Sequence, residues 1–359
     1  STCFASRGSW VRFPSSPPMR IVVTGSAGYF GGVIAQSLAS HGHSVMGLDR
    51  LAHQGNPPFA TQTIDIRSRE DVLRVFQGFN PEVVVHAAAV LAHERPSRED
   101  LWTSNVDGTE VLADCARSNG VAQFVFISTN CLWGVDLGRP VMTNDEPRPV
   151  ELYGESKAAA ESVLRKFSDA MAVTVFRSPT IVSSGRLGLL GLLFQFIEEN
   201  RKLPVVGTGE NRYQFVYGPD YATAIRLSIE KKSGGTFNVG SRNVPTVAEM
   251  YGSLITRAGS SSRLLHVPQG PTVLALKLLH ALRLSPLGPY QYNMLGASFE
   301  FDIEDTRRTL QWEPTRTNTE MLNEAFDFYK SRSGASGDDV SAHSRVAAGG
   351  VLSLLRHLL

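Results

Sequence analysis

Strand-like and helix-like hydrophobic patterns alternate along most of the chain. Near its start, the β-branched run 21–23 predicts a buried strand, 33–38 begins an apolar helix and 44–48 predicts a second strand. Further buried strands are predicted at 82–86 and 124–128, each followed by a helical pattern. Because strands that alternate with helices usually pair in parallel, this pattern predicts an α/β fold with a doubly wound parallel sheet.

A glycine-rich turn joins the first strand to the first helix, with the spacing Gly25-x-x-Gly28-x-x-Gly31. Gly25 allows a tight turn, Gly28 lets the backbone approach a pyrophosphate, and Gly31 lets the helix pack closely on the strand. The free N–H groups of the helix start would hold the anion. The motif predicts a dinucleotide-binding domain of the Rossmann type, and a purely structural glycine turn is the alternative.

An acidic residue, Asp49, ends the second strand where such domains carry the carboxylate that binds adenosine ribose hydroxyls. Its charge would repel a ribose 2′-phosphate, so we predict NAD rather than NADP as the cofactor. NADP stays open as the alternative, because Arg50 would receive a phosphate if Asp49 turned away. The next strand ends at Asp65 and Ile66, where Asp65 either accepts from the adenine amine or closes a turn.

The fourth strand runs into three alanines, Ala87, Ala88 and Ala89. Small residues at the carboxyl end of a parallel strand leave room for a ligand where the strand order reverses. His86 stands just before them and is a residue type often used in catalysis. We interpret it as a packing residue, since a histidine at a strand end beside a cofactor more often packs than transfers protons.

The residues that carry the chemistry follow the fifth strand. Thr129 stands at the end of this strand, and the sequence Tyr153-Gly-Glu-Ser-Lys157 opens a helix downstream. Four residues apart on a helix, Tyr153 and Lys157 share one face, so the lysine cation favours the phenolate of the tyrosine. A phenol with an ordinary pKa near ~10 needs this help to act as a base near neutral pH. Thr129 would hydrogen-bond the substrate oxygen while Tyr153 takes its proton.

From Met19 to Tyr329 the chain resembles the extended short-chain dehydrogenase/reductases, the NAD-dependent epimerase/dehydratase family. The resemblance rests on the glycine motif and on motifs that follow it in order, namely Val85-His86-Ala87-Ala88-Ala89, Ser128-Thr129 with Leu132-Trp133-Gly134, Tyr153-x-x-x-Lys157, Phe176-Arg177-Ser178-Pro179, Phe237-Asn238-Val239-Gly240 and Leu310-Gln311-Trp312-Glu313-Pro314. It implies an NAD-dependent enzyme in which Thr129, Tyr153 and Lys157 are catalytic. It also implies a homodimer formed through the helices that contain Asn105 and Tyr153.

The resemblance, together with these patterns, gives a set of candidate ligand contacts. The predicted cofactor-binding residues are Gly25, Ala27, Gly28, Tyr29, Phe30, Gly31, Asp49, Arg50, Asp65, Ile66, Ala87, Ala88, Ala89, Asn105, Lys157 and Pro179. Within this set, Lys157 would bind the nicotinamide ribose. The predicted substrate-binding residues are Thr129, Thr180 and Arg212. No metal ligand is predicted.

Departures from the family's subgroups bear on the reaction. Sugar-nucleotide 4,6-dehydratases carry Thr-Asp-Glu after the fifth strand, because eliminating water needs an acid and a base there. This chain has Thr129-Asn130-Cys131, which argues against a dehydratase and against a decarboxylase that uses the same acidic position. Nucleotide-sugar 4-epimerases usually have asparagine where this chain has Thr180, and Arg212 lies one residue out of their diphosphate-binding pattern. These departures weaken the nucleotide-sugar assignment.

The predicted function is epimerase-like hydride transfer at a secondary alcohol of a nucleotide sugar. One alternative is a dehydrogenase or reductase of an apolar alcohol such as a hydroxysteroid, which the apolar stretches 187–197 and 273–284 would suit. We interpret both stretches as core helices rather than as lipid-binding surfaces. The other alternative is a non-catalytic NAD(H) sensor, which the complete set of catalytic residues disfavours.

Composition limits the partners and the compartment. The net charge of +1, from 35 Lys and Arg against 34 Asp and Glu, argues against broad binding to nucleic acid or to anionic membranes, although a local basic site would not show in this sum. No apolar run reaches the ~20 residues of a membrane span. Three scattered cysteines fit neither a disulfide framework nor a metal site. We therefore predict a cytoplasmic protein that acts on a small molecule.

The patterns also predict the domain organisation. Residues 1–18 form a disordered leader and 19–180 the NAD-binding Rossmann domain. Residues 181–330 mainly form a smaller α/β C-terminal substrate-binding domain, with 212–245 partly returning to the first domain. Residues 331–359 form a flexible tail that contains a short apolar helix.

Overall fold

Seven parallel strands form the central sheet in the computed structural model, which describes residues 17–91, 97–185, 188, 190–282, 284 and 287–332. The strands are β1 (Arg20–Thr24), β2 (Ser44–Asp49), β3 (Ala60–Thr63), β4 (Val83–His86), β5 (Gln123–Ile127), β6 (Ala172–Arg177), β7 (Thr180–Val182), β8 (Leu203–Val206), β9 (Phe215–Tyr217), β10 (Gly235–Asn238) and β11 (Leu264–Val267). Their order across the central sheet is β3-β2-β1-β4-β5-β6-β10. The predicted doubly wound parallel sheet is confirmed.

Helices connect the strands and cover both faces of this sheet. They are α1 (Tyr29–Ser40), α2 (Arg69–Phe79), α3 (Arg98–Trp102), α4 (Gly108–Ser118), α5 (Leu152–Arg165), α6 (Leu190–Glu198), α7 (Gly218–Glu230), α8 (Val247–Ala258), α9 (Gln269–Ala281), α10 (Pro289–Met294), α11 (Glu304–Leu310) and α12 (Asn318–Arg332). The predicted leader and tail lie outside the described residues, except for 17–18 and 331–332.

Two apolar layers hold the helices on the sheet. Successive side chains of a strand point to opposite faces, so Val22 packs on one side of β1 while Ile21 and Val23 pack on the other. The layer around Val22 includes Phe76 of α2, and the opposite layer includes Ile34 of α1. Full burial of an aliphatic side chain stabilises a fold by about 1.5–3 kcal/mol, so these layers fix the sheet whose edge carries the site.

A smaller region follows β6. It contains the parallel pairs β7–β9 and β8–β11 and its own apolar core, which includes Phe194 and Ile197 of α6, Leu254 of α8 and Phe326 of α12. The interpretation of 187–197 as a core helix is therefore confirmed where the structure describes it. The chain also returns to the central sheet, because β10 pairs with β6 from Gly235↔Thr174 to Asn238↔Arg177.

The interpretation of 273–284 as a core helix is wrong. Within the described residues, α9 has no buried side chain, and Leu274, Leu278 and Leu282 are 58–67% exposed. The sequence shows only that the segment is apolar nearly all round. Whether other elements cover such a helix depends on the tertiary fold, and the described elements leave its outer face in solvent.

Candidate active site

The glycine turn lies where the strand order reverses, between the carboxyl ends of β1 and β4. Gly25 has φ +74°, and a Cβ on it would lie 2.6 Å from the backbone nitrogen of Ala88. A Cβ on Gly31 would collide with the carbonyl oxygen of Gly25. Glycine is therefore required at both positions, because the turn, the start of α1 and the Ala87–Ala89 segment are in direct backbone contact.

Asp49 closes this turn from the end of β2. Its carboxylate accepts from the backbone N–H of Ala27 at 3.0 Å and from that of Leu51 at 3.0 Å. The first residue before α1 is Gly28, which has no side chain to cap the helix, so the N–H groups of its first turn can face a phosphate. A tight glycine turn, an uncapped helix start and a carboxylate at the position predicted for the ribose fit a dinucleotide such as NAD.

We expect Gly31→Ala to weaken NAD binding by about tenfold or more, since overpacking of this kind costs about 1–3 kcal/mol. The matched control is Gly78→Ala in the exposed part of α2, where a Cβ meets no atom within 4 Å. Titration of the purified variants with NADH, followed by fluorescence, measures the difference. Equal NADH affinity in the two variants would contradict the role assigned to the turn.

Two predicted cofactor residues beside the turn point their side chains elsewhere. The Tyr29 hydroxyl hydrogen-bonds the Ser183 side chain and donates to the Ser184 carbonyl at 3.2 Å, which ties the turn to the segment after β7. The Phe30 ring stacks on Tyr221 of α7 at a centroid distance of 4.5 Å.

The predicted adenine end carries an ion pair. Arg67 donates to Asp65 through its backbone N–H at 2.9 Å and its guanidinium at 2.6 Å. These hydrogen bonds lower the pKa of Asp65. Asp65 thus closes a turn, as one of its two predicted roles requires. Its neighbour Ile66 lies against Gly108 at the start of α4. Arg50 is exposed on the same side.

Asn105 lies on a π-helical turn, Thr103–Asp107, which runs directly into α4. Its side-chain oxygen accepts from the Val90 N–H at 2.8 Å, and its amide donates to the Val90 carbonyl and to the Ser156 hydroxyl. It therefore fixes the chain after Ala89 against the helix that carries Tyr153. Pro179 and Thr180 follow β6 at the same edge of the sheet.

His86 is held in a buried chain of hydroxyl groups. Thr109 donates to the Asn105 carbonyl at 2.7 Å, so its oxygen accepts from Nε2–H of His86 at 2.9 Å. Nδ1 is then the acceptor for the Thr24 hydroxyl at 2.7 Å. Burial and the nearby charge of Lys157 lower the pKa of His86 to about 3, so the ring is neutral. This arrangement agrees with a packing residue.

Tyr153 and Lys157 lie in the first half of α5, with Thr129 at the end of β5. A Cβ on Gly154 would collide with the Cys131 carbonyl, so only glycine lets this helix start so close to the segment after β5. Lys157 is 3% exposed, and its Nζ lies 3.8 Å from the ring centroid of Phe126. Burial lowers the pKa of Lys157 to about 7, while the negative charge of Glu161 acts to raise it.

A buried ion pair beneath Lys157 was not predicted from the sequence. Glu161, one turn further along α5, accepts from Arg177 of β6 at 2.7 Å and from the Ser128 hydroxyl at 2.6 Å. Both charged side chains are at most 5% exposed. The guanidinium also donates to the Thr143 carbonyl at 2.9 Å and lies over the Trp133 ring. The pair joins β5, β6 and α5 one helical turn from Lys157.

A second unpredicted group, which we call the neutral wall, comprises Asn130, Tyr213 and Tyr290. The Asn130 amide donates to Tyr213 at 2.9 Å and to Tyr290 at 2.7 Å, and the two phenol oxygens are 2.8 Å apart. Thr129 donates to the amide oxygen of Asn130 at 3.3 Å, and Thr180 also hydrogen-bonds Tyr213. Burial raises the pKa of both tyrosines, so these groups are uncharged donors and acceptors.

Two ionisable groups adjoin the neutral wall. Burial and the nearby Glu151 raise the pKa of the Cys131 thiol to about 12, so it carries no charge near neutral pH. Glu151 accepts from the Tyr290 backbone N–H, and burial raises its pKa. It thereby joins α10 to the start of the catalytic helix. In the described part of the chain, no cluster of three or more His, Cys, Asp or Glu side chains could hold a metal ion.

Arg212 is not brought to these residues. It is exposed, and its guanidinium donates to the Val244 carbonyl. Its neighbour Tyr213 points into the neutral wall, and successive residues of extended chain face opposite ways. Among the predicted substrate-binding residues, the structure brings Thr129 and Thr180 together around Asn130 and Tyr213.

Comparison with known proteins decides the family. The model of the NAD dependent epimerase/dehydratase family matches residues 21–240. The chain belongs to this family. The family resemblance inferred from the motifs is thus confirmed. The predictions that the protein is an enzyme and that its cofactor is NAD are confirmed as well.

The names of similar proteins in this family give more than one reaction. The uncharacterized protein y4nG of Sinorhizobium fredii (strain NBRC 101917 / NGR234) is 31% identical over 98% of this chain and 91% of its own. A dTDP-glucose 4,6-dehydratase of Neisseria gonorrhoeae is 27% identical over 86% of this chain and 95% of its own. The crystal structure of a UDP-glucose 4-epimerase with UDP-glucose from Thermotoga maritima has a TM-score of 0.72 and 22% identity, and the match covers 88% of this chain and all of that one.

Proposed function

We propose that this family member is a nucleotide-sugar epimerase, which oxidises a secondary alcohol of its substrate and then reduces the ketone from the other face. The observation that carries the proposal is the neutral wall. Asn130 stands where a dehydratase has an acid, and it is bound to two phenols whose pKa values are raised. Such a wall can bind sugar hydroxyls without supplying the acid and base that water elimination requires.

The catalytic residues would act on one oxygen of the substrate. Tyr153, as phenolate, removes the hydroxyl proton, and the Lys157 cation stabilises the phenolate. Thr129 hydrogen-bonds the same oxygen as negative charge develops on it. NAD, when bound, supplies a reversible hydride acceptor for the carbon. After the ketone has turned over, Tyr153 returns the proton, so the net change is inversion of one carbon.

The names of a dTDP-glucose 4,6-dehydratase and a UDP-glucose 4-epimerase among the similar proteins support a nucleotide sugar as substrate. The proposal is tested by incubating the purified protein with UDP-glucose and, separately, dTDP-glucose, each deuterated at C4. An epimerase gives the 4-epimer with the deuterium retained and with no accumulation of NADH. A product that has lost water would assign a dehydratase, and net NADH would assign a dehydrogenase.

A further inference from the structure

The outer side of α9 carries a stripe of exposed apolar side chains, with the exposed Lys277 and His280 beside it. Its exposed residues on one side of the helix follow the helical repeat and are Pro271, Leu274, Ala275, Leu278, Ala281 and Leu282. The opposite side, with Val273, Leu276 and Leu279, is half-buried against the protein. Surface helices normally present polar side chains to solvent, whereas α9 is apolar on its inner side and on most of its outer side. Contiguous exposed apolar side chains of this kind are typical of surfaces that bind a partner or a membrane.

The sequence around this face carries basic side chains and no acidic ones, although Arg257 is paired with Asp327 of α12. Residues 250–299 contain no Asp or Glu, although the whole chain has 34, and they include Arg257, Arg263, Lys277 and Arg283. Lys277 flanks the leucine face, and its Nζ lies 5.8 Å from the ring centroid of Tyr292. The net charge of +1 for the whole chain hides this local excess, because the acids lie elsewhere in the sequence.

The helix also has the wrong length for a membrane span. Its 13 residues measure about 20 Å, against the ~30 Å hydrocarbon core of a bilayer. Within the described ranges, none of the helices combines the length and the apolar character needed to cross a bilayer. A short helix with leucines outward and cations beside it suits the plane of a membrane surface.

We propose that α9 docks the protein on an anionic phospholipid bilayer. Leu274, Leu278 and Leu282 enter the boundary between headgroups and acyl chains, and Lys277 beside them faces the lipid phosphates. An uncharged surface would bind the leucines but would leave the Lys277 cation without an anionic partner. A second copy of this chain would bring like charges together, whereas an anionic bilayer complements both features.

The test is co-sedimentation of the full chain with vesicles. Phosphatidylcholine vesicles with and without phosphatidylglycerol are compared, for the wild type, for Leu274→Ser/Leu278→Ser/Leu282→Ser, and for the control Leu51→Ser, which removes a leucine that is 65% exposed elsewhere. We expect binding to the vesicles that contain phosphatidylglycerol, weakened by salt, and at least about tenfold weaker in the triple variant only.

Three results would overturn the proposal. The first is that the wild type does not sediment with either kind of vesicle, and the second is that the triple variant binds as well as the wild type. The third is that light scattering shows larger oligomers for the wild type than for the triple variant while neither binds vesicles, which would assign the face to a second copy of the chain. Unchanged turnover of the triple variant shows that the fold is intact.

Discussion

Tyr153→Phe is expected to lower kcat by about 10²–10⁴-fold while NAD stays bound, because the change removes only the phenol oxygen that carries the proton. The ring is retained on α5, beside Lys157 and above the Glu161 ion pair, so the helix should keep its position. Turnover of the nucleotide sugar and the NAD released on denaturation, identified by mass spectrometry, measure the two effects separately.

The matched control is Tyr251→Phe on α8, a tyrosine of the smaller core. This variant should keep both turnover and NAD. If Tyr153→Phe turned over substrate like the wild type, Tyr153 would not be the base. If it lost NAD together with activity, the effect would be on binding rather than on proton transfer. A non-catalytic sensor would show no change in its response to NAD(H).

Local signals made part of the site predictable. The glycine turn, Asp49 and the Tyr153–Lys157 pair each depend on spacing within one strand–turn–helix unit or one helix, and backbone geometry converts such spacing directly into position. The parallel sheet was predictable for the same reason. Strand–helix alternation, read over several repeats, leaves few other arrangements.

The neutral wall had no local signal. Asn130 meets Tyr213 and Tyr290 across sequence separations of 83 and 160 residues. A single sequence does not show which distant tyrosines return to a strand end, because only the packing of the smaller region on the central sheet brings them there. The prediction that 273–284 is a core helix was wrong for a related reason, since an apolar composition does not show whether other elements cover the helix.

The Glu161–Arg177 pair had a partial signal. Glu161 follows Lys157 by four residues on the helix, so it shares the face of Tyr153 and Lys157. Arg177 belongs to a motif that supported the family resemblance. The sequence did not show that both side chains are buried, which makes the loss of either partner costly because the other charge then stays buried and unpaired.

Arg177→Met is expected to destabilise the protein by about 3–5 kcal/mol, because it leaves the Glu161 carboxylate buried without its cation. It also removes the hydrogen bond to the Thr143 carbonyl. The matched control is Arg74→Met, whose ion pairs with Glu70 and Asp71 are exposed and are expected to be worth at most about 1 kcal/mol. Urea unfolding of both variants gives the two free energies.

An isosteric change in the same pair tests its effect on catalysis, and it also destabilises the fold because it leaves Arg177 buried without its anion. Glu161→Gln removes the negative charge that raises the pKa of Lys157, so this pKa should fall below its value of about 7. The lysine cation would then be lost at lower pH, and the alkaline side of the kcat profile should move to lower pH in the variant that still folds. If Arg177→Met lowered the free energy of unfolding no more than Arg74→Met does, the ion pair would not stabilise the fold. If the pH profile of Glu161→Gln were unshifted, the pair would not raise the pKa of Lys157. The buried position of both charges, and the hydrogen bond that Ser128 at the strand end donates to Glu161, argue for both effects at once.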